Sequence, residues 1–459
     1  MAADAIDKPP GQRRRLRLWL ILGGLLFVMV AGPLLMWWHG RHEFQQRIEA
    51  IRAGGFPVTL EELDKWYQWP ESGENAAAAI LNATSCYVPP AEKAAEETLS
   101  SILRGQGGRR AVPLPEDIRT VLAEHVKANA QALGFLHDAV TLEGSRYPVD
   151  LKKGYAHSLL YLGEVMSKAS VLPCLEAILY AENGAPRRAS EAVMTSLAVT
   201  RSLAREPTLI CQINRLTCQR VALMALQRVL SRLEGFTDDQ LSALSQAVAR
   251  TSDGETWTRA LIGERCFLIS LYEQPGLTEG PLPSSPLRRI VVNTYKRREL
   301  GARSDIVFLD LMDRLMQVRQ LPRQERMSAA KTVDAARNAL PKRDFLIHEW
   351  MPSAVDVVRL ELTEAARLAT ASCGLAVERY RLARGTLPET LRDLVPTYLP
   401  EVPLDPFDGQ PLRYKHLERG YTVYSVGPDG TDDGGKEPPP AARSKPNPSP
   451  YDIVFIVER

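Results

Sequence analysis

The sequence has no CxxC pair, no HExxH, no GxSxG, no P-loop and no dinucleotide-binding glycine fingerprint, so the common signatures of metal, nucleophile and nucleotide chemistry are missing. Cysteine is scarce, with six residues in 459: Cys86, Cys174, Cys211, Cys218, Cys266 and Cys373. They are scattered through apolar helical patterns, which excludes a disulfide framework and leaves them as small hydrophobes. Cys211 and Cys218 share a helix face, but two turns hold them about 10 Å apart, too far for a bond. An excess of one charge is also lacking: the whole chain carries +2, and the part after residue 17 is close to neutral, which gives no general case for nucleic-acid binding. The tightest basic cluster, Arg288, Arg289, Lys296, Arg297 and Arg298, is offset by nearby acids and suits a solvated helix face. The seven histidines offer no pair at convincing ligand spacing, His39 and His42 included. Ser328 and Lys331 make one SxxK without the partner motifs of penicillin-binding enzymes.

What is present begins with Leu18–Trp38, a run of 21 residues without charge. At about 1.5 Å per residue it matches the roughly 30 Å of a bilayer core, so a single transmembrane helix is expected at 18–38. Lys8, Arg13, Arg14, Arg15 and Arg17 crowd its N-terminal side, which expects a cytoplasmic basic tail at 1–17 and an extracytoplasmic body. Trp19, Trp37 and Trp38 suit interfacial positions. A cleaved signal peptide is the alternative, although the run exceeds a usual h-region and only Ala31 and Gly32 hint at a cleavage site.

After the run the pattern is helical. A juxtamembrane helical segment is expected over 39–110, with a Thr59 and Glu62 capping box and a helix from about Glu74 to Thr84. A large helical domain is expected over 111–350. Apolar periodicity marks Pro115–Val140, Gly154–Ala181, Pro186–Ala204 and Pro207–Leu233, and short breaks between them imply antiparallel hairpins. Thr237 and Gln240 form another capping box. The segment around Leu179–Val193 has a faint tetratricopeptide look without a clean period. Pro275–Pro286 is a linker or surface loop. Glu264, Arg265 and Glu349 sit among apolar residues and suit buried pairs.

The last part, 354–459, differs. A long amphipathic helix from Ala354 to Arg384 ends at Gly385, a short helix follows at Pro388–Leu394, and Pro411–Lys415, Tyr421–Val426 and Asp452–Val457 alternate as strands. The ordered signals are Glu378, Arg379, Tyr380 and Arg381 before Gly385, Leu387 and Pro388; Leu394, Val395 and Pro396 before Tyr398 and Leu399; Pro403, Asp405 and Pro406; and Tyr424, Ser425, Val426, Gly427, Asp429 and Gly430. On these residues the C-terminal region resembles the globular domain of the type II secretion major (G-type) pseudopilins. In that family the loop after the last tyrosine-bearing strand binds calcium. The resemblance implies Asp429 as a carboxylate ligand, Val426 as a carbonyl ligand and Asp452 as a second carboxylate, with Asp432 or Asp433 as substitutes. Tyr451 stands where the family often has another aspartate, and Lys436–Pro450 is an insertion. The same residues also suit plain solvated turns.

The expected fold class is therefore mainly α: one transmembrane helix, a large antiparallel helical-hairpin body and a small α+β pseudopilin-like module. The expected function is a membrane-anchored extracytoplasmic interaction or scaffold protein with a protein partner in the cell envelope. The alternatives are a component of a type II secretion-like apparatus, and an envelope hydrolase whose carboxylates converge across helices.

Overall fold

The structure is a computed structural model, and it describes residues 10–71, 73–103, 109–151, 155–273, 301–342, 344–437 and 451–459. The basic cluster at Arg288–Arg298, the linker at Pro275–Pro286 and most of the Lys436–Pro450 insertion lie outside the described residues, as does Lys8. The chain is mainly helical, 64% by residue, with one small three-stranded antiparallel sheet.

The transmembrane helix expected at Leu18–Trp38 is corrected, and with it the single-pass topology and the extracytoplasmic placement of the body. Among the described residues no helix is long and apolar enough to cross a membrane. The run is part of one 44-residue helix, Pro10–Ala53, about 66 Å long. A crossing needs about 20 consecutive apolar residues. Among the described positions of the run, Leu20, Leu22, Met29 and Leu35 are exposed. Many of its other side chains lie outside the described residues. The last turns of the same helix carry Arg41, Glu43, Arg47, Glu49 and Arg52, and they bury Phe44 and Ile48 against the Gly301–Val318 helix.

Local sequence explains many helix ends. Thr237 Oγ1 accepts from Gln240 N at 3.2 Å while Gln240 Oε1 accepts from Thr237 N at 3.0 Å, which is the expected capping box at the start of Asp238–Ala249. Thr59 Oγ1 likewise accepts from Glu62 N at 3.1 Å to open Leu60–Trp66. The helix pattern over Pro115–Val140 is in fact two helices, Glu116–Ala128 and Ala130–Asp138. The break falls at Asn129, fully buried, whose side chain donates to Val88 O at 2.9 Å and accepts from Val88 N at 2.8 Å. Gly154–Ala181 divides in the same way into Tyr155–Ala169 and Val171–Glu182, with Pro173 in the first turn of the second. Helices at Lys93–Leu103 and Phe345–Trp350 fall within the segments expected to be helical, although no sequence signal marks their individual bounds.

Two elements organise the centre. The Leu209–Arg232 helix packs against Val171–Glu182, Pro186–Ser202 and Thr256–Glu273. The 31-residue Ala354–Arg384 helix packs against Asp238–Ala249, Arg323–Asn338 and the sheet. Its start is held by Asp334, which accepts from Ser353 Oγ at 2.6 Å, Ala354 N at 2.9 Å and Val355 N at 3.2 Å. Its end is Gly385, whose φ of 74° is the left-handed conformation that glycine adopts without penalty.

The sheet has the order β1-β2-β3, with β1 at Arg413–His416, β2 at Gly420–Ser425 and β3 at Ile453–Glu458. Its registers run from Arg413 opposite Tyr424 and from Gly420 opposite Glu458. The long helix lies directly on it. A Cβ on Gly374 would sit 2.4 Å from the Phe455 ring, so glycine permits this approach, and Tyr421 Oη donates to the Gly374 carbonyl at 2.8 Å. One apolar cluster then runs from Ile80 and Leu122 of the helical body through Leu226 and Val377 to Tyr421 and Val457 of the sheet. A second cluster gathers Phe44, Trp257, Phe308, Leu315 and Val358.

Candidate functional site

The acidic loop of the C-terminal module was the sequence-derived candidate. Asp452, at the entry to β3, is 3% exposed, and its carboxylate accepts from Gly435 N at 2.7 Å and Asp433 N at 3.3 Å. Burial raises its carboxyl above the usual aspartate range; the loop amides oppose the rise, and the charges of Asp432 and Asp433 add to it. Burial also pushes the Tyr424 phenol up to about 12, with Asp432 and Asp452 beside it. Asp432, Asp433 and Asp452 thus come together. Asp429 does not join them by any contact of its side chain, which accepts from Thr431 N at 3.0 Å in a local turn. Asp432 accepts from Gly434 N at 2.8 Å and lies 3.8 Å from Arg413 Nε. Val426 donates its N–H to Asp405 Oδ2 at 2.8 Å. The donors are oxygen atoms, which suit calcium, but among the described residues no three acidic, histidine or cysteine side chains converge into a metal cage.

Asp405 is the residue of this region that the sequence reading passed over as a site. It is 1% exposed and accepts from Ser425 Oγ at 2.9 Å, Val426 N at 2.8 Å, Phe407 N at 3.0 Å and Arg413 Nη1 at 2.9 Å. Four donors on one buried carboxylate fix the proline-rich turn to the end of β2. Its signal was the Pro403-x-Asp405-Pro406 spacing.

The second polar region lies between the two apolar clusters and was not foreseen. Arg215, fully buried on the Leu209–Arg232 helix, donates through Nη1 and Nη2 to Glu364 Oε1 and Oε2 at 2.6 and 2.8 Å. Trp257 Nε1 donates to the same Glu364 Oε2 at 2.7 Å, Arg215 Nη1 also donates to Thr251 O at 2.8 Å, and Arg215 Nε to Gln212 Oε1 at 2.6 Å. A bidentate pair with these extra bonds is the arrangement that a low-dielectric interior tolerates. Glu182 similarly takes Arg228 and Leu114 N, each at 3.0 Å, and Glu361 takes Arg319 at 3.1 Å and Arg326 at 2.8 Å.

Glu206 is the third unforeseen group. It lies 2% exposed at the turn before the Leu209–Arg232 helix, accepting from Tyr67 Oη and from Tyr147 N at 3.2 Å. Burial raises its carboxyl to about 7, with the Tyr67 and Tyr147 donors opposing the rise. Tyr67 is held in turn by Arg146, whose guanidinium lies 4.7 Å from the Tyr67 ring and 4.7 Å from the Trp69 ring. Glu206 can hold or release a proton near neutral pH, yet the two tyrosines enclose it, so the change acts on packing.

Glu264 and Arg265, which the sequence suggests as buried, are 6% and 3% exposed. Glu264 accepts from Leu209 N at 2.9 Å, the adjacent Arg265 donates to Pro57 O at 3.3 Å, and Glu349 is exposed. Ser328 and Lys331 are both exposed, and His42 stacks on Trp38 with centroids 5.6 Å apart. The six cysteines are free, and burial pushes the Cys174 thiol up to about 12 and that of Cys218 to about 11, which makes them poor nucleophiles.

Comparison of the chain with protein-family models gives no match, and neither do comparisons with curated proteins and with solved structures.

Proposed function

We propose that the chain is an interaction or scaffold protein: a helical-hairpin body carrying a pseudopilin-like C-terminal module, with a protein as its partner and no reaction assigned to it. The observation that carries this reading is the way the module is attached. The outer edge of β3 is hydrogen-bonded by side chains of the body, with Ile456 N donating to Gln227 Oε1 at 2.9 Å and Glu458 N to Ser231 Oγ at 3.0 Å. Arg459 joins Glu378 to the Leu230 carbonyl, and Arg379 pairs with Asp238 at 2.7 Å. Body and module therefore form one continuous surface, which suits a platform. The carboxylates that meet across helices, Glu182, Glu361 and Glu364, are engaged by arginines, a pattern that serves architecture better than hydrolysis.

The test is crosslinking of the full chain in its own cells, followed by mapping of the crosslinked residues. The module exposes Leu404 at 60% on its surface. One protein crosslinked in fixed stoichiometry, and lost in a Leu404→Asp variant with unchanged melting, supports the proposal. A monomeric chain without reproducible crosslinks sinks it. Calcium belongs to the same proposal: Asp452 would be the anchoring carboxylate with Asp432 and Asp433 beside it, once the amides of Asp433 and Gly435 release it. Titration of the full chain with calcium should raise its Tm, and the rise should vanish in Asp452→Asn. An equal response in both proteins removes the ion from the proposal.

A further inference from the structure

Three buried carboxylates of this fold are answered by arginine, which stays charged at any physiological pH: Glu182 by Arg228, Glu361 by Arg319 and Arg326, and Glu364 by Arg215. Glu176 differs. It is 3% exposed on the Val171–Glu182 helix, and His137 Nε2 donates to its Oε2 at 2.8 Å. Among the described residues His137 is the one basic side chain within ion-pair distance of this carboxylate. Histidine is the side chain whose charge changes near neutral pH. His137 lies in the last turn of Ala130–Asp138, where the helix dipole favours a cation, and its side chain is 46% exposed, so solvent can deliver and remove the proton.

The acidic groups facing the ring all favour its charged form. Val171–Glu182 contributes Glu176, Pro186–Ser202 contributes Glu191, and the ring's own helix contributes Asp138. The Ala76–Ser85 helix, which also packs on Ala130–Asp138, carries no charged residue. Glu191 is itself paired with Arg187 at 3.0 Å. The other cations of Pro186–Ser202 are engaged elsewhere: Arg188 lies 5.6 Å from the Tyr180 ring, and Arg201 donates to Val140 O at 2.9 Å and Leu142 O at 3.0 Å. The hydrogen bond to Glu176 holds the imidazolium above its ordinary range, with partial burial opposing the rise and the three acidic charges adding to it.

When His137 loses its proton, Glu176 keeps a hydrogen bond but loses its counter-charge while still buried. Lifting the turn that carries His137 relieves that cost by admitting water to the carboxylate. The contribution of the pair to closure is therefore fully present below the ordinary histidine value of 6.5 and is lost as pH rises through the raised one. We propose that His137 and Glu176 form a pH-sensitive latch: with His137 protonated the last turns of Ala130–Asp138 stay closed on Val171–Glu182, and with His137 neutral they open more often.

The test is hydrogen exchange of the full chain, read by mass spectrometry at pH 5.5 and 8.5 and corrected for the intrinsic pH dependence of exchange. The wild type is compared with His137→Gln, which keeps a donor without charge, and with His137→Arg, which keeps the charge at both pH values. Protection of the peptide covering Leu133–Asp138 is measured relative to the Leu209–Arg232 helix, which removes the pH dependence that Glu206 gives to the whole fold. This protection should fall several-fold from pH 5.5 to 8.5 in the wild type, stay low at both in His137→Gln and stay high at both in His137→Arg. By NMR of the wild type, the histidine ring signal that is absent from His137→Gln should titrate above 6.5. A titration at or below 6.5, or a pH dependence of equal size in wild type and His137→Gln, overturns the proposal. So does a His137→Arg chain that loosens with pH as the wild type does.

Discussion

The buried carboxyl of Glu206 makes the stability of this protein depend on pH in a direction that can be worked out. Its folded-state pKa is about 7 against 4.5 for the free side chain, because burial disfavours the charged form more than the Tyr67 and Tyr147 donors favour it. The folded state therefore binds the proton more tightly than the unfolded state. Its contribution to stability is fully present below about pH 4.5 and is lost as pH rises through about 7. At about 1.4 kcal/mol per unit, the difference between the two limits is about 3 kcal/mol. Glu206→Gln retains an oxygen acceptor for Tyr67 and Tyr147 but cannot ionise. Urea unfolding of the full chain at pH 5, 6, 7 and 8, followed by far-UV circular dichroism, should give two proteins that are nearly equal at pH 5. At pH 8 the variant should be the more stable by about 3 kcal/mol. Parallel pH profiles in the two proteins would refute the assignment, and so would a variant that is less stable at pH 8.

Other expectations test the packing directly. A Cβ on Gly263 would lie 1.6 Å from the Pro207 carbonyl oxygen, which is backbone and cannot swing aside; Gly263→Ala should cost more than the ~1–3 kcal/mol of ordinary overpacking. Gly134, helical with open space around it, should tolerate alanine and gain up to about 1 kcal/mol in the same denaturation assay. Glu364→Gln leaves the fully buried Arg215 without its counter-charge and should cost about 3–5 kcal/mol, most of it recovered in the double variant Arg215→Met with Glu364→Leu. If the double variant is no better than the single one, the pair is not the source of the cost. Gln227→Ala removes the acceptor for Ile456 N and should speed hydrogen exchange at that amide, with about 1 kcal/mol lost.

The sequence by itself determined the features that depend on neighbours a few residues apart. The capping box of Thr237 and Gln240, the stop at Gly385, the amphipathic stripe of Ala354–Arg384 and the alternation of β1, β2 and β3 are all local, and each was readable without knowing what lay opposite. The same locality misleads at Leu18–Trp38, where an uncharged run reads as a separate element. The structure continues it into the charged turns that bury Phe44 and Ile48. Tertiary structure alone decided what required a distant partner. Asn129 ends a helix because Val88 occupies both sides of its amide, and Arg215 can be buried because Glu364, 149 residues away, meets it. Glu206 holds its proton up to about pH 7 because burial disfavours its charge more than the Tyr67 and Tyr147 donors favour it. Asp432, Asp433 and Asp452 gather while Asp429 turns to Thr431. Spacing along the chain records helix faces and strand faces, which repeat every few residues. The meeting of charges across helices depends on how the faces dock, and that is set by the summed packing of both cores.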